Sequence, residues 1–319
     1  MTVFVDDIHV ALGDVRRDVR TAQAAGATLS TSQQLTDAGF GTHYVCSDDM
    51  TAYDLARLAV TPIAARHRRV GAIVYATTLP GNAAMSGADD FARTGDVKHL
   101  MRYPASRLQA EFDFAAAFVV GVGQQACTGL LGALRLARGL LLAEPHLDPI
   151  LCLTADRFPA GAGYEQAYNL VSDGAVACTV SLRPAAFELL GVHHVTNGGL
   201  EFASDDETVA TYFSYTCEVI TAVCAAAGFD PQALNWIVPQ NTHSRVAPIL
   251  ARLLGLPEDR LYCPTVRELG HLIAGDALVN LADLQKSGRL RAGDLVAVPI
   301  AGYGLNWQCA LLRATAAPD

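Results

Sequence analysis

The chain has 319 residues, 51% of them hydrophobic and 17% charged, with a formal charge of −9 and a pI near 5.4. That size and apolar fraction suit a two-lobed α/β enzyme with buried sheets. The acidic balance argues against nucleic acid, which needs a basic surface to displace its counterions. The eight cysteines include no C-x-x-C pair and no metal-type Cys/His spacing, so neither a metal site nor a disulfide framework is indicated and a reducing cytoplasm is the expected location. The acidic N-terminus (MTVFVDDIHVALGDVRRD) is unlike a signal peptide, and no stretch is read as a membrane span.

In chain order, residues 54–69 read as a helix leading into a buried strand at 70–76 (VGAIVYA). The polar, glycine-bearing stretch 82–98 reads as a loop near the entrance to a site. Residues 114–123 (FAAAFVVGVG) read as a strand that gives way to Gln124, Gln125, Ala126 and Cys127, followed by an apolar helix pattern. A thiol handed to the start of a buried helix meets unpaired N–H groups and partial positive charge, which favour the thiolate. Cys152, Cys178, Cys224 and Cys309 lie in apolar patterns and read as small hydrophobes. A strand follows at 150–154, a helix at 206–228, short strands at 236–239 and 295–300, and a Gly302-Tyr303-Gly304 turn after the last of them.

The chain reads as duplicated. GAIVYATT matches NWIVPQNT at a shift of 164, and CTGLLGALRLA matches HLIAGDALVNLA at a shift of 144, which sets Cys127 against His271. A pseudo-twofold axis between two lobes, residues 1–183 and 184–319, would bring the two helix starts together, so that a thiol faces an imidazole. A cysteine nucleophile needs a proton partner and oxyanion donors. Candidates are Gln240, Asn241 and His243 in the turn VPQNTHSRV, His271 in LGHLIAGD, Asp276 to orient an imidazole, and backbone N–H groups of Gly302, Tyr303 or Gly304.

These segments resemble the thiolase superfamily, specifically its β-ketoacyl-carrier-protein synthase III group. The resemblance rests on YPASRLQAEF, QQACTGLLGAL, VSDGAVACTV, NWIVPQNTHSRV and GRLRAGDLVAVPIAGYGLNWQCALL. It implies a duplicated αβαβα five-layer sandwich, a homodimer, and an acyl group taken onto Cys127 from coenzyme A or an acyl carrier protein, with no further cofactor. The catalytic pair departs from the condensing members, which have histidine where this chain has Gln240 and asparagine where it has His271. Gln240 can donate a hydrogen bond but cannot shuttle a proton, which leaves base work to His271, with His243 as the second choice.

The pattern GHLIAGDALVNLADL is similar to a branch that transfers acyl groups to hydroxyl or amine acceptors. There the aspartate pairs with the histidine of the VPH turn, so Asp276 is assigned only a supporting role here. The region LTDAGFGTHYVCSDD lacks the tryptophan and arginines that clamp coenzyme A in the family, favouring a carrier-bound donor, and Arg245 matches an arginine at the pantetheine tunnel mouth. The expected function is ping-pong acyl transfer in specialised metabolism, such as polyketide or antibiotic biosynthesis. The alternatives are decarboxylative carbon–carbon bond formation and a non-catalytic partner subunit of a condensing enzyme.

Overall fold

The computed structural model describes residues 1–85, 87–166, 169–303 and 305–315. Among them the main sheet has nine strands. These are β1 (Phe4–Leu12), β2 (Ala72–Ala76), β3 (Phe118–Val122), β4 (Ile150–Asp156), β5 (Gly174–Ser181), β6 (Phe187–Thr196), β7 (Trp236–Ile237), β8 (Leu295–Gly302) and β9 (Asn306–Ala314). The spatial order is β3-β2-β4-β5-β1-β6-β9-β8-β7. It consists of two runs that meet only where β1 pairs with β6, at Phe4↔Glu188 and Val5↔Phe187.

The two runs repeat one another outward from that seam. In the first, β1 is antiparallel to β5, β5 antiparallel to β4, and β4 parallel to β2. In the second, β6 is antiparallel to β9, β9 antiparallel to β8, and β8 parallel to β7. The strand β3, parallel to β2, has its counterpart in an isolated parallel bridge between Ile237 and Leu261.

Five helices build the other layers: α1 (Ala52–Arg66), α2 (Gly129–Ala143), α3 (Asp205–Ala226), α4 (Val246–Leu254) and α5 (Asp276–Lys286). Capping boxes at Thr51/Asp54 and Ser204/Glu207 start α1 and α3. Leu55, Ala59 and Ile63 of α1 pack on Ile73, Leu151 and Leu153. Val219, Ile220 and Val223 of α3 pack on Leu295, Ala297 and Leu311. Between the sheets, Leu130 and Leu134 of α2 and Leu278 and Leu281 of α5 meet strand residues from both runs, Cys152 and Val176 among the first and Val298 and Leu312 among the second. The result is the expected αβαβα sandwich. Where both sheet faces are covered, as at β2, β4, β5 and β8, the strands are near-continuous apolar runs, and each fully buried leucine contributes roughly 1.5–3 kcal/mol.

Three sequence readings need correction. Residues 114–117 are not strand, because Phe114 turns into the core and β3 starts at Phe118. The stretch 82–98 is not a plain loop: it contains a helix, Ala88–Thr94, and none of its described residues lines the cavity described below. Finally, Ala126–Ala143 and Asp206–Ala226 do have the length and apolar composition of membrane spans. The first is more than half buried between the two runs, and the second packs one side over β6 and β9 with 29% of it buried.

Candidate active site

Cys127 sits in a single 3₁₀ turn, Ala126–Thr128, that leads into α2. No side chain caps this helix, so its positive end is not neutralised beside the thiol. Ala126 has a φ of 44°, a left-handed conformation uncommon for a residue with a Cβ. The position related to it by the 144-residue shift is Gly270, just before His271, with a φ of 64°. The duplicated turns therefore carry their chemical groups out of similarly unusual backbone, and they face each other as the repeat requires. His271 Nε2 is 3.6 Å from Cys127 Sγ.

Behind the ring, His271 Nδ1 is 2.5 Å from Asp276 Oδ2. Asp276 opens α5, is fully buried, and accepts further N–H bonds from Asn241 (2.8 Å to Oδ2) and Leu272 (2.5 Å to Oδ1). Asn241 is also buried and is held by Thr265, Gly270 and Asn280. Its place is behind Asp276, and it does not line the cavity. An unbroken Cys127–His271–Asp276 line thus exists within one chain, and Asp276 is the direct partner of the histidine that faces the thiol. From sequence alone Asp276 has only a supporting role; here it bonds the imidazole of His271 directly.

Burial by itself would lower the His271 pKa, but the Asp276 charge and hydrogen bond, joined by smaller contributions from Cys127, outweigh it and raise the value to about 10. A group whose folded pKa lies above its ordinary value of 6.5 adds stability that is fully present below that value and is lost as pH rises through about 10. We therefore expect the Tm difference between the wild type and His271→Gln to be largest at or below pH 6.5 and to shrink steadily towards pH 10. A difference independent of pH would contradict the charged pairing with Asp276.

The thiol opens into a cavity of about 690 Å³, the size of a site for a drug-sized ligand. His271 and Gly302 lie at the thiol, Gln240 lines the same cavity, and Phe158, Tyr212 and Trp307 form apolar walls. Gln240 accepts a 2.6 Å bond from Ala301 N–H through its carbonyl oxygen, so its NH₂ end is the one left to donate. His243 also lines the cavity, but its ring accepts from Arg245 N–H at 3.1 Å and makes no bond to Cys127. Burial and the Arg245 guanidinium lower its pKa. Arg245 stands exposed on the cavity lining at the start of α4, as expected for a tunnel mouth.

The β8–β9 connection is a hairpin, with Gly302 paired to Asn306, and it also touches the nucleophile. A Cβ on Gly302 would lie 2.7 Å from Cys127 N and 3.2 Å from Thr128 N. Tyr303 lines the cavity, and Gly304 lies outside the described residues. Gly302→Ala is expected to displace the Cys127 amide and lower acylation of the thiol by about 10²-fold, the size of effect seen when one oxyanion donor is lost. Acylation within twofold of wild type would show that the hairpin does not set that amide.

Comparison with known proteins agrees with this architecture. Residues 224–314 match the family model for the C-terminal part of 3-oxoacyl-[acyl-carrier-protein (ACP)] synthase III. The β-ketoacyl-[acyl-carrier-protein] synthase III of Chlamydia caviae is 24% identical over 294 residues, covering 80% of this chain and 87% of its own. Among solved structures, 3-oxoacyl-(acyl carrier protein) synthase III from Pseudomonas aeruginosa PAO1 superposes with a TM-score of 0.81 at 19% identity, covering 100% of both chains. The acyltransferase ChlB3 superposes with a TM-score of 0.82 at 20% identity, covering 99% of both. The fold and these likenesses define a thiolase-fold enzyme of transferase or synthase type. Within that class the chain is similar to the ketosynthase III-like proteins of the thiolase superfamily.

Proposed function

We propose that the protein is a ping-pong acyltransferase that moves an acyl group from a carrier-protein or coenzyme A thioester, through Cys127, to the hydroxyl or amine of a small-molecule acceptor in specialised metabolism. The observation that carries this reading is the imidazole of His271 held between the Cys127 thiol and the buried Asp276 carboxylate. His271 already holds the thiol proton as an imidazolium backed by Asp276, and the thiolate adds to the donor carbonyl. The oxyanion is met by the Cys127 N–H at the start of α2, and the intermediate collapses, expelling the pantetheine thiolate, which takes the proton from His271. The acceptor then gives its proton to His271 Nε2 and attacks the Cys127 thioester, so that the thiolate leaves and the cycle closes.

Gln240 supports this reading over condensation. With its oxygen bound to Ala301 N–H it offers one donor to an enolate where the family's condensing members offer a histidine. The Cys127–His271–Asp276 line supports catalysis over a role as a silent partner subunit. The carrier-bound donor is favoured by the stretch 35–49, which has no tryptophan or arginine to hold coenzyme A, and by Arg245, which stands exposed on the cavity lining. Homodimer formation is supported by the edge strand β3, whose outer side pairs with no strand among the described residues and whose Phe118 is 53% exposed. A cytoplasmic location agrees with eight free cysteines.

The test is to preload Cys127 with an acyl group and follow its discharge. Transfer to simple alcohols or amines at a rate that depends on His271 supports the proposal. Discharge only in the presence of a malonyl thioester, with carbon dioxide released, would overturn it in favour of condensation.

A further inference from the structure

We propose that Gln308 is a positioning residue for the nucleophile, a clamp from the second half of the fold that fixes the left-handed turn carrying Cys127. The inference rests on the acyl-enzyme reading above and extends it to a residue outside the Cys127–His271–Asp276 line.

In β9, Trp307, Cys309 and Leu311 face α3 while Ala310 and Leu312 face the central layer. Gln308 takes the inward phase and is 3% exposed, a carboxamide where the strand's alternation calls for an apolar side chain. Its nitrogen donates to Gln125 Oε1 at 3.0 Å and to Thr128 Oγ1 at 3.1 Å, the residues that bracket Ala126 and Cys127. The Thr128 hydroxyl spends its own proton on Gln125 O at 2.7 Å, so it can only accept from Gln308, which fixes the direction of the amide. Gln308 Oε1 is buried and has no partner among the described residues. An amide kept at that cost is kept for its donors.

The groove for the Gln125 carboxamide is also built. It lies over Gly132 of α2, where a Cβ would be 1.7 Å from Gln125 Oε1. Ala126, at a φ of 44°, gains from such over-determination, because a strained residue persists only where its surroundings hold it. The consequence is directional. The clamp orients the Cys127 N–H, on which acylation depends, while the proton relay to His271 and Asp276 is set from the other side of the site.

The experiment uses Gln308→Met, which keeps the side-chain length without donors, with Thr128→Val breaking the same network from the helix side if the first variant does not fold. Hydrogen exchange of the amides at 124–130, acylation by acetyl-coenzyme A and alkylation by iodoacetamide across pH are compared with the wild type. We expect exchange and loss of acylation of about tenfold or more, with the pH profile of alkylation unchanged, since alkylation needs the thiolate but no oxyanion donor. Unchanged exchange and acylation within twofold in a folded variant would overturn the proposal, as would a shifted alkylation profile that accounts for the loss. If wild-type Cys127 takes no acyl group, the acyl-enzyme reading fails, and the exchange rates then decide the clamp by themselves.

Discussion

His271→Ala is expected to lower acyl transfer by about 10³–10⁴-fold, because the imidazole that bonds the Cys127 thiol disappears from both half-reactions. Alkylation of Cys127 by iodoacetamide at neutral pH should fall with it, since the thiol loses the base that takes its proton. His243→Ala should leave alkylation near wild type, because that ring is bonded to Arg245 N–H at 3.1 Å on the cavity lining. Alkylation rates and single-turnover acylation, measured side by side, check both. A large loss in His243→Ala with little in His271→Ala would reverse the assignment.

Asp276→Asn is the second large effect, on the order of 10²–10⁴-fold in acyl transfer. The carboxylate accepts on both oxygens: Oδ2 from Asn241 N–H and His271 Nδ1, and Oδ1 from Leu272 N–H. An asparagine has a single acceptor. Turned to serve Asn241 and His271, it sets its NH₂ against the Leu272 N–H. Turned the other way, it meets the Asn241 N–H and makes His271 Nδ1 an acceptor, which puts the ring proton on Nε2, where the thiol's proton should go. Either orientation leaves a buried donor opposed, at about 1–3 kcal/mol. Single-turnover kinetics with thermal unfolding would measure both consequences. A stable variant with wild-type acylation would show that Asp276 does not set the His271 tautomer.

The sequence made the architecture legible where a repeated order of elements could be matched. The shift of 144 that set Cys127 against His271 is the separation of the two atoms found 3.6 Å apart. The strand bounds were less legible: residues 114–117 share an apolar composition with β3, but Phe114 turns into the core beneath α1. Asp276 was recognised as a helper of some imidazole, yet its choice of His271 depends on the turn at Leu272 and on Ile273, whose φ of 49° no pattern announces. The cavity walls were out of reach for a different reason, since Phe158, Tyr212 and Trp307 come from segments far apart in the chain. Gln308 stood in a quoted motif, and the signal available was a single polar residue in the inward phase of an apolar strand.

The most direct test of acyl transfer without condensation is intact-protein mass after brief exposure to malonyl thioesters on coenzyme A and on an acyl carrier protein, with Cys127→Ala as control. A malonyl adduct that requires Cys127 and persists is the expected result, because Gln240 binds Ala301 N–H through its oxygen and His271 is paired with Asp276. An adduct lighter by one carbon dioxide would contradict it and return the protein to decarboxylative chemistry.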